Sequence, residues 1–219
     1  AIGQMVTGLA HESRNALQRA RGCLDLLELD LVGNSEQLDL TARIRRSLND
    51  LQRNYEEVRN YAAPITLELS EVQLVDLIQR TFDDLRVEFN GVDHQMKIDA
   101  APGLESILGD EHRLQQILRN ILENAIAASE GPAIIAVTVD LVRDGGQLWQ
   151  RVIINDAGEG MDAETIARIF EPFHTTKQSG TGLGMAICKR IVDAHGGTIQ
   201  AESEKNCGAT ITVTLPTAH

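Results

Sequence analysis

Apolar residues recur at spacings of three and four along the first part of the chain. Leu17, Ala20, Leu24, Leu27 and Leu31 set this pattern within residues 2–31. It is the seam of a helix that packs lengthwise on another helix. Gly33-Asn34-Ser35 interrupts it, as a turn does. Leu40, Ile44, Leu48, Leu51, Tyr55, Val58 and Ala62 then carry a second seam towards Pro64, where proline ends a helix. Two long helices joined by a short turn predict an antiparallel hairpin. One hairpin buries two such seams poorly, whereas two hairpins make a four-helix bundle. The pattern therefore predicts a homodimer.

Past Pro64 the period changes. Residues 65–69 alternate as a strand does. Residues 74–89 are amphipathic with helical period, and 95–98 and 107–109 are short extended pieces. Residues 111–129 form a longer helix with an apolar stripe from Leu114 to Ile126. Two strands, 134–142 and 149–154, meet through Gly145-Gly146, a hairpin signal. A helix over 184–195 and strands over 198–202 and 209–215 complete the chain. The predicted fold class is α+β: a helical hairpin over residues 1–63, then an α/β sandwich over 64–219 with its helices on one face of the sheet.

Composition narrows the function. The chain has 219 residues, 42% hydrophobic and 24% charged, an ordinary globular balance. Aromatics are only 3%, so the cores are aliphatic. A net charge of -12 excludes a nucleic-acid binder, because no basic stripe is left to neutralise phosphates. It leaves ATP open, since a nucleotide needs only a local positive site and a cation. Cys23, Cys188 and Cys207 are odd in number and lack metal spacing, which fits a reducing, cytoplasmic compartment. No apolar run reaches the ~18 residues of a membrane helix, and no signal peptide is present. The chain begins inside a helical pattern and reads as a piece of a longer protein. Any membrane anchor would belong to segments outside it.

The stretch 155–187 concentrates candidate chemistry. It reads N-D-A-G-E-G-M, then F-E-P-F-H-T-T-K, then G-T-G-L-G-M-A-I. Gly158 and Gly160 form one cluster and Gly180, Gly182 and Gly184 another, with Lys177 between them. Glycine-rich turns bring backbone N–H groups together into anion-binding concavities, and a helix N-terminus after such a turn favours phosphate. Ordinary turns explain either cluster alone. Asn120 and Asn124 lie four apart on the 111–129 helix and share a face. They form either a polar network or a ligand site, and amide oxygens suit a hard cation such as Mg²⁺. Asp156 follows the apolar strand end Val152-Ile153-Ile154, where a carboxylate can accept a hydrogen bond from an exocyclic amine such as that of adenine. There is no G-x-x-x-x-G-K-[ST] loop and no glycine fingerprint in a βαβ unit, so the P-loop and Rossmann sites are excluded. His11 points away from the Leu seam, with Glu12 beside it and Asn15 one turn on. A carboxylate holds an imidazole in one tautomer and keeps it nucleophilic. A solvated histidine on a polar face is the plainer reading of that segment by itself.

Taken in order, His-Glu-x-x-Asn on a hairpin, Asn-x-x-x-Asn, Asp-x-Gly-x-Gly, Phe-x-Pro-Phe and Gly-x-Gly-x-Gly resemble a sensor histidine kinase of bacterial two-component signalling. The resemblance covers nearly the whole chain, and the short lid resembles the nitrogen-regulation subgroup. It implies a dimerisation and histidine-phosphotransfer hairpin followed by an ATP-binding domain of Bergerat fold. It implies that His11 is phosphorylated from Mg-ATP and that the phosphoryl group passes to an Asp on a response-regulator receiver domain. Glu12 would assist proton removal, and Asn15 would orient water for dephosphorylation of that partner. Asn124 would ligate Mg²⁺, with Asn120 towards the phosphates. Asp156 would bind the adenine amino group, supported by Thr210, with Gly158 and Gly160 shaping the pocket. Residues 169–181 would be a mobile lid in which Phe170 and Phe173 pack. Thr176, Lys177, Gly180, Thr181, Gly182, Leu183 and Gly184 would surround the phosphates. Three positions depart from many relatives: Ala16 in place of Pro, Ala127 in place of a basic residue, and His174 in place of an aromatic, where it reads as a surface histidine. The pattern also separates two rivals. Hydrolytic ATPases of the same superfamily place a Glu base where this chain has Asn120, which cannot act as a base. A non-catalytic ATP-sensing scaffold would not need His11.

Overall fold

The structure is a computed structural model of the 219-residue chain. It describes all residues except Ala1, Val32, Gly33, Asn90, Gln178, Ser179, Ala218 and His219. The side chains of residues 2–15, Arg53 and Asn60 also lie outside the described set. The backbone divides into two units. One comprises Ala1–Pro64 with Thr176–Leu183, the other Ile65–Thr175 with Gly184–His219.

In the first unit α1 (Ile2–Asp30) and α2 (Ser35–Ala62) form the hairpin. Asn34 caps α2 by accepting a hydrogen bond from Gln37 N at 3.2 Å, satisfying one of the orphan donors of the first turn. The turn before it includes Gly33, outside the described residues. The helices run antiparallel, with Arg21 bonded to Asn49 and Arg45 to Asp25 and Glu28. The predicted seams are only partly buried. Leu17 and Leu24 are 7% and 6% exposed, whereas Leu40, Ile44 and Leu51 stay at 50–55%. Two helices present too little surface to each other to cover two complete stripes.

The second unit opens with β1 (Ser70–Val72), α3 (Leu74–Glu88), β2 (Gln95–Ala100) and β3 (Ile107–Gly109). It continues through α4 (Glu111–Ala127), β4 (Ile134–Asp144), β5 (Gln147–Asp156) and α5 (Ala163–Arg168), then α6 (Gly184–Ala194), β6 (Thr198–Ser203) and β7 (Ala209–Pro216). β1 and β3 pair in a small antiparallel ladder, and the main sheet has the order β2-β4-β5-β7-β6. Among the described residues only β2 and β4 pair in parallel. Alternation sorts the two faces. Val137, Val139, Val152, Ile154, Ile211 and Val213 are 7% exposed or less and meet the apolar stripes of α3, α4 and α6, each such side chain contributing about 1.5–3 kcal/mol. Thr138, Thr212 and Thr214 line the other face. The expected α/β sandwich is therefore present. No helix among the described residues is long and apolar enough to cross a membrane.

Two elements differ from the sequence pattern. Residues 65–69 join no ladder among the described residues, because Glu68 N donates instead to the Asp110 carboxylate at 3.0 Å. The short helix α5 was not expected. Its N-cap, Asp162, accepts from Thr165 N at 2.8 Å, and six residues are too few to show a helical period.

Candidate functional site

Asp156 ends β5 on the helix-covered face, in line with Gln150, Val152 and Ile154, and is 8% exposed. Its Oδ1 accepts from Gly158 N at 2.8 Å and Ala209 N at 3.3 Å. Its Oδ2 accepts no hydrogen bond among the described residues. Burial pushes the carboxyl above the ordinary value of 3.8, while the two backbone N–H groups pull it down. The corner is closed by the turn between β6 and β7, where Asn206 N donates to Glu159 O and Met161 N to Ser203 Oγ. Glycine is required here by contact within the chain. A Cβ on Gly160, at φ +65, would fall 2.1 Å from Glu204 O. One on Gly208, at φ +77, would fall 2.0 Å from Asp156 O. Both distances are far below van der Waals contact. The predicted Gly160 thus shapes the corner from inside the protein. Gly208 was missed, although Asn206-Cys207-Gly208 between two alternating segments is a turn signal.

α4 delivers the asparagines. Asp110 caps its start by accepting from Arg113 N at 3.0 Å. Glu159 N donates to Ala128 O at its end, 3.1 Å away, so the α4 C-terminus adjoins the Asp156 corner. Asn120 and Asn124 are half-buried on the last turns. Asn120 Nδ2 donates to Gly184 O at 3.2 Å and approaches Cys188 Sγ at 3.6 Å, leaving its Oδ1 without a partner among the described residues. Burial pushes the Cys188 thiol up to about 12, so Cys188 packs as an inert apolar group.

Three expectations are corrected. Thr210 does not support Asp156. It pairs with Asn155 across the β5–β7 ladder, and Asn155 Nδ2 donates to Thr210 Oγ1 at 2.8 Å. Strand alternation puts that pair on the opposite face from Asp156, and Ala209 is the neighbour that reaches the carboxylate. Phe173 is not buried: it is 63% exposed at φ 65, while Phe170 is half-buried. His174 is not a surface histidine, since it is half-buried and its Nε2 is enclosed without a hydrogen-bond partner among the described residues.

The remaining candidates fall in the first unit. Thr176, Lys177 and Gly180 are exposed. Thr181 Oγ1 donates to the Glu57 carboxylate of α2 and accepts from Leu183 N at 3.3 Å. Gly182 has φ 69, and Leu183 is fully buried. Gly158, Gly160, Gly184, Asn120, Asn124, Asp156 and Thr210 belong to the second unit. His11, Glu12 and Asn15 lie on α1, and their side chains are outside the described residues.

This arrangement has known counterparts. The family described as "Histidine kinase-, DNA gyrase B-, and HSP90-like ATPase" matches residues 109–219, and the "His Kinase A (phospho-acceptor) domain" matches residues 1–64. The chain belongs to the sensor histidine kinases. The sensor histidine kinase ZraS of Escherichia coli K12 is 33% identical over 216 residues, which is 99% of this chain and 46% of ZraS. The chain thus spans about half the length of that curated relative. Full-length ShkA in complex with AMPPNP superposes with a TM-score of 0.81 at 30% identity, over 98% of this chain and 46% of ShkA. ThkA in complex with the response regulator TrrA gives 0.67 at 26% identity, over 99% of this chain and 62% of that one. The phospho-acceptor match contains His11, Glu12 and Asn15. The ATPase match contains every other candidate, from Asn120 to Thr210.

Proposed function

We propose that this chain is the catalytic core of a cytoplasmic protein-histidine kinase of the nitrogen-regulation type. It phosphorylates itself on His11 from Mg-ATP and passes the phosphoryl group to an Asp of a response-regulator receiver domain. Residues 1–63 serve as the dimerisation and phosphotransfer hairpin, residues 64–219 as the ATP-binding domain. The reading is carried by Asp156. A buried carboxylate with one oxygen held by two backbone N–H groups and the other unpaired among the described residues is a fixed acceptor for a ligand amine. The adenine amino group meets that need. The ShkA complex with an ATP analogue and the ThkA complex with a regulator support ATP as donor and a receiver domain as partner.

The donor set also fits Mg²⁺. Among the described residues no group of three or more His, Cys, Asp or Glu is placed to hold a metal ion. Amide oxygen and phosphate can hold an ion together, and Mg²⁺ is commonly held through few protein ligands plus phosphate oxygens. Asn124 would hold it, with Asn120 beside the phosphates. When bound, the ion neutralises charge that develops on the phosphoryl oxygens. The protein supplies position and charge. A nitrogen of the His11 imidazole forms a bond to the γ-phosphorus, the bond from that phosphorus to the bridging oxygen breaks, and ADP leaves. Glu12 accepts the imidazole proton. Lys177 and the N–H groups of residues 180–184 hold the phosphates. Asn15 orients water in the reverse task, dephosphorylation of the regulator. The exposed Leu40, Ile44 and Leu51 are covered by a second copy in a four-helix bundle. Incubation of the chain with radiolabelled ATP and Mg²⁺ should give acid-labile, base-stable label that chases onto a receiver domain. Absence of label on the dimer would reject the reading.

A further inference from the structure

We infer that Asp110 and His195 form a positioning pair, which sets the register between the two helices that carry the nucleotide-binding residues. The inference rests on the nucleotide reading of Asp156, Asn120 and Asn124. α4 and α6 run antiparallel and are fastened at two points. At one, Asn120 Nδ2 donates to Gly184 O, at the start of α6. At the other, Asp110 N donates to His195 Nε2 at 3.0 Å, just beyond the end of α6. The separations along the two helices match, at ~15 Å for ten residues and ~16 Å for eleven. The clamp therefore closes without bending either helix.

The far end of this clamp is built for the purpose. Asp110 is 7% exposed and His195 9%. Because His195 Nε2 accepts a proton donor, the ring proton must be on Nδ1, which meets Ile191 O at 2.8 Å. One tautomer thus satisfies both ring nitrogens. Gly109 leaves the approach open, since a Cβ there would fall 2.7 Å from Leu114 Cδ1 and 3.6 Å from His195 Cδ2. Gly197 lets the end of α6 sit against β7, where a Cβ would fall 2.3 Å from Thr214 O. Asp110 also joins a third segment. Its Oδ1 caps α4 through Arg113 N, and its Oδ2 accepts from Glu68 N, on the stretch that follows the hairpin in sequence. Burial would raise this carboxyl, yet the N–H groups of Glu68 and Arg113 hold it below its ordinary value. No atom of Asp110 or His195 needs to touch nucleotide. Their effect is to hold Gly184 and the asparagines at one spacing, and small misplacements of binding groups cost much of their contribution.

The test uses two amides that differ by one methylene. In His195→Asn the side chain can still donate to Ile191 O but falls short of Asp110 N. In His195→Gln the amide oxygen reaches the position of Nε2. Binding of trinitrophenyl-ATP by the whole chain should weaken about fivefold or more in His195→Asn and stay within about twofold of the parent in His195→Gln. Affinity is read far below the urea transition followed by Trp149, so a merely structural role would shift the urea midpoint and leave affinity unchanged. That result, or failure of His195→Gln to restore binding, overturns the inference. If the parent chain binds no nucleotide, the kinase reading falls and this inference with it. A second measurement needs no variant. Coupling is reciprocal, so nucleotide must slow hydrogen exchange of the Asp110 amide in the parent chain by a similar factor. An unchanged exchange rate overturns the inference even where His195→Asn does not fold.

Discussion

Asp156 lets the binding role of a residue be separated from its structural role. In Asp156→Ala the N–H groups of Gly158 and Ala209 lose their acceptor. An unsatisfied buried donor costs about 1–3 kcal/mol. The 3.3 Å bond from Ala209 counts at the low end of that range, and part of the loss is offset because a buried charge disappears. The net expectation is a loss of about 2–3 kcal/mol from the sheet unit. Asp156→Asn behaves differently. Its amide oxygen can keep both accepted bonds, and its NH₂ takes the place of Oδ2, which has no described partner to disturb. The charge is gone as well. Burial raises the Asp156 carboxyl in the folded chain, so the folded state holds its proton to higher pH than the unfolded state. Wild-type stability is therefore lost as pH rises from the ordinary aspartate value of 3.8 through the raised one. Asp156→Asn has no such loss and should equal or exceed wild type at pH 7, the gap closing as the pH falls. Trp149 on β5 is the single tryptophan, so urea unfolding followed by its fluorescence reports the unit in question. The same Asn variant should lose preference for ATP over GTP, because an amide donates where the carboxylate cannot. The reasoning is refuted if Asp156→Asn is destabilised as much as Asp156→Ala, or if its offset from wild type does not change with pH.

Further outcomes follow from other positions. His11→Gln should abolish phosphorylation and leave trinitrophenyl-ATP affinity nearly unchanged; wild-type labelling would move the acceptor elsewhere. Gly160→Ala forces a Cβ into the Glu204 carbonyl at positive φ, and should lower sheet-unit stability by about 2–4 kcal/mol in urea titration; a near-neutral result would mean that the 204–208 turn relaxes freely. Gly22 meets nothing within 4 Å of an added Cβ, so Gly22→Ala should raise the stability of the hairpin by about 0.5–1 kcal/mol. Gly22 follows His11 by eleven residues, about three turns on along the same face of α1, so a receiver domain that reaches His11 would dock over it; Gly22→Trp should block transfer while autophosphorylation survives, and normal transfer on a gel time course would place the docking face elsewhere. Asn15→Ala should lose the regulator-phosphatase activity first, and a variant that still dephosphorylates its regulator would remove the water-orienting role.

The sequence by itself determined whatever depends on local period and local chemistry. The three-and-four spacing gave two long helices, and the alternation of β4, β5 and β7 marked which face of each strand is buried. The order of the short polar and glycine boxes by itself pointed to the kinase family. Asp156 was legible because a carboxylate at the end of an apolar strand is conspicuous. The pattern could not say what each group touches. The family resemblance placed Thr210 beside Asp156, but a step of one residue along a strand reverses the face. The need for Gly160 and Gly208 became visible only when two loops distant in sequence were seen to lie backbone against backbone. Residues 65–69 alternate like a strand, yet one side-chain oxygen of Asp110 took the hydrogen bond a ladder would have used. His195 had no partner in the sequence because its partner is a backbone N–H 85 residues away. Period and residue type are properties of a single segment. Pairing between segments is decided by the packing of the whole chain, and only the tertiary structure contains it.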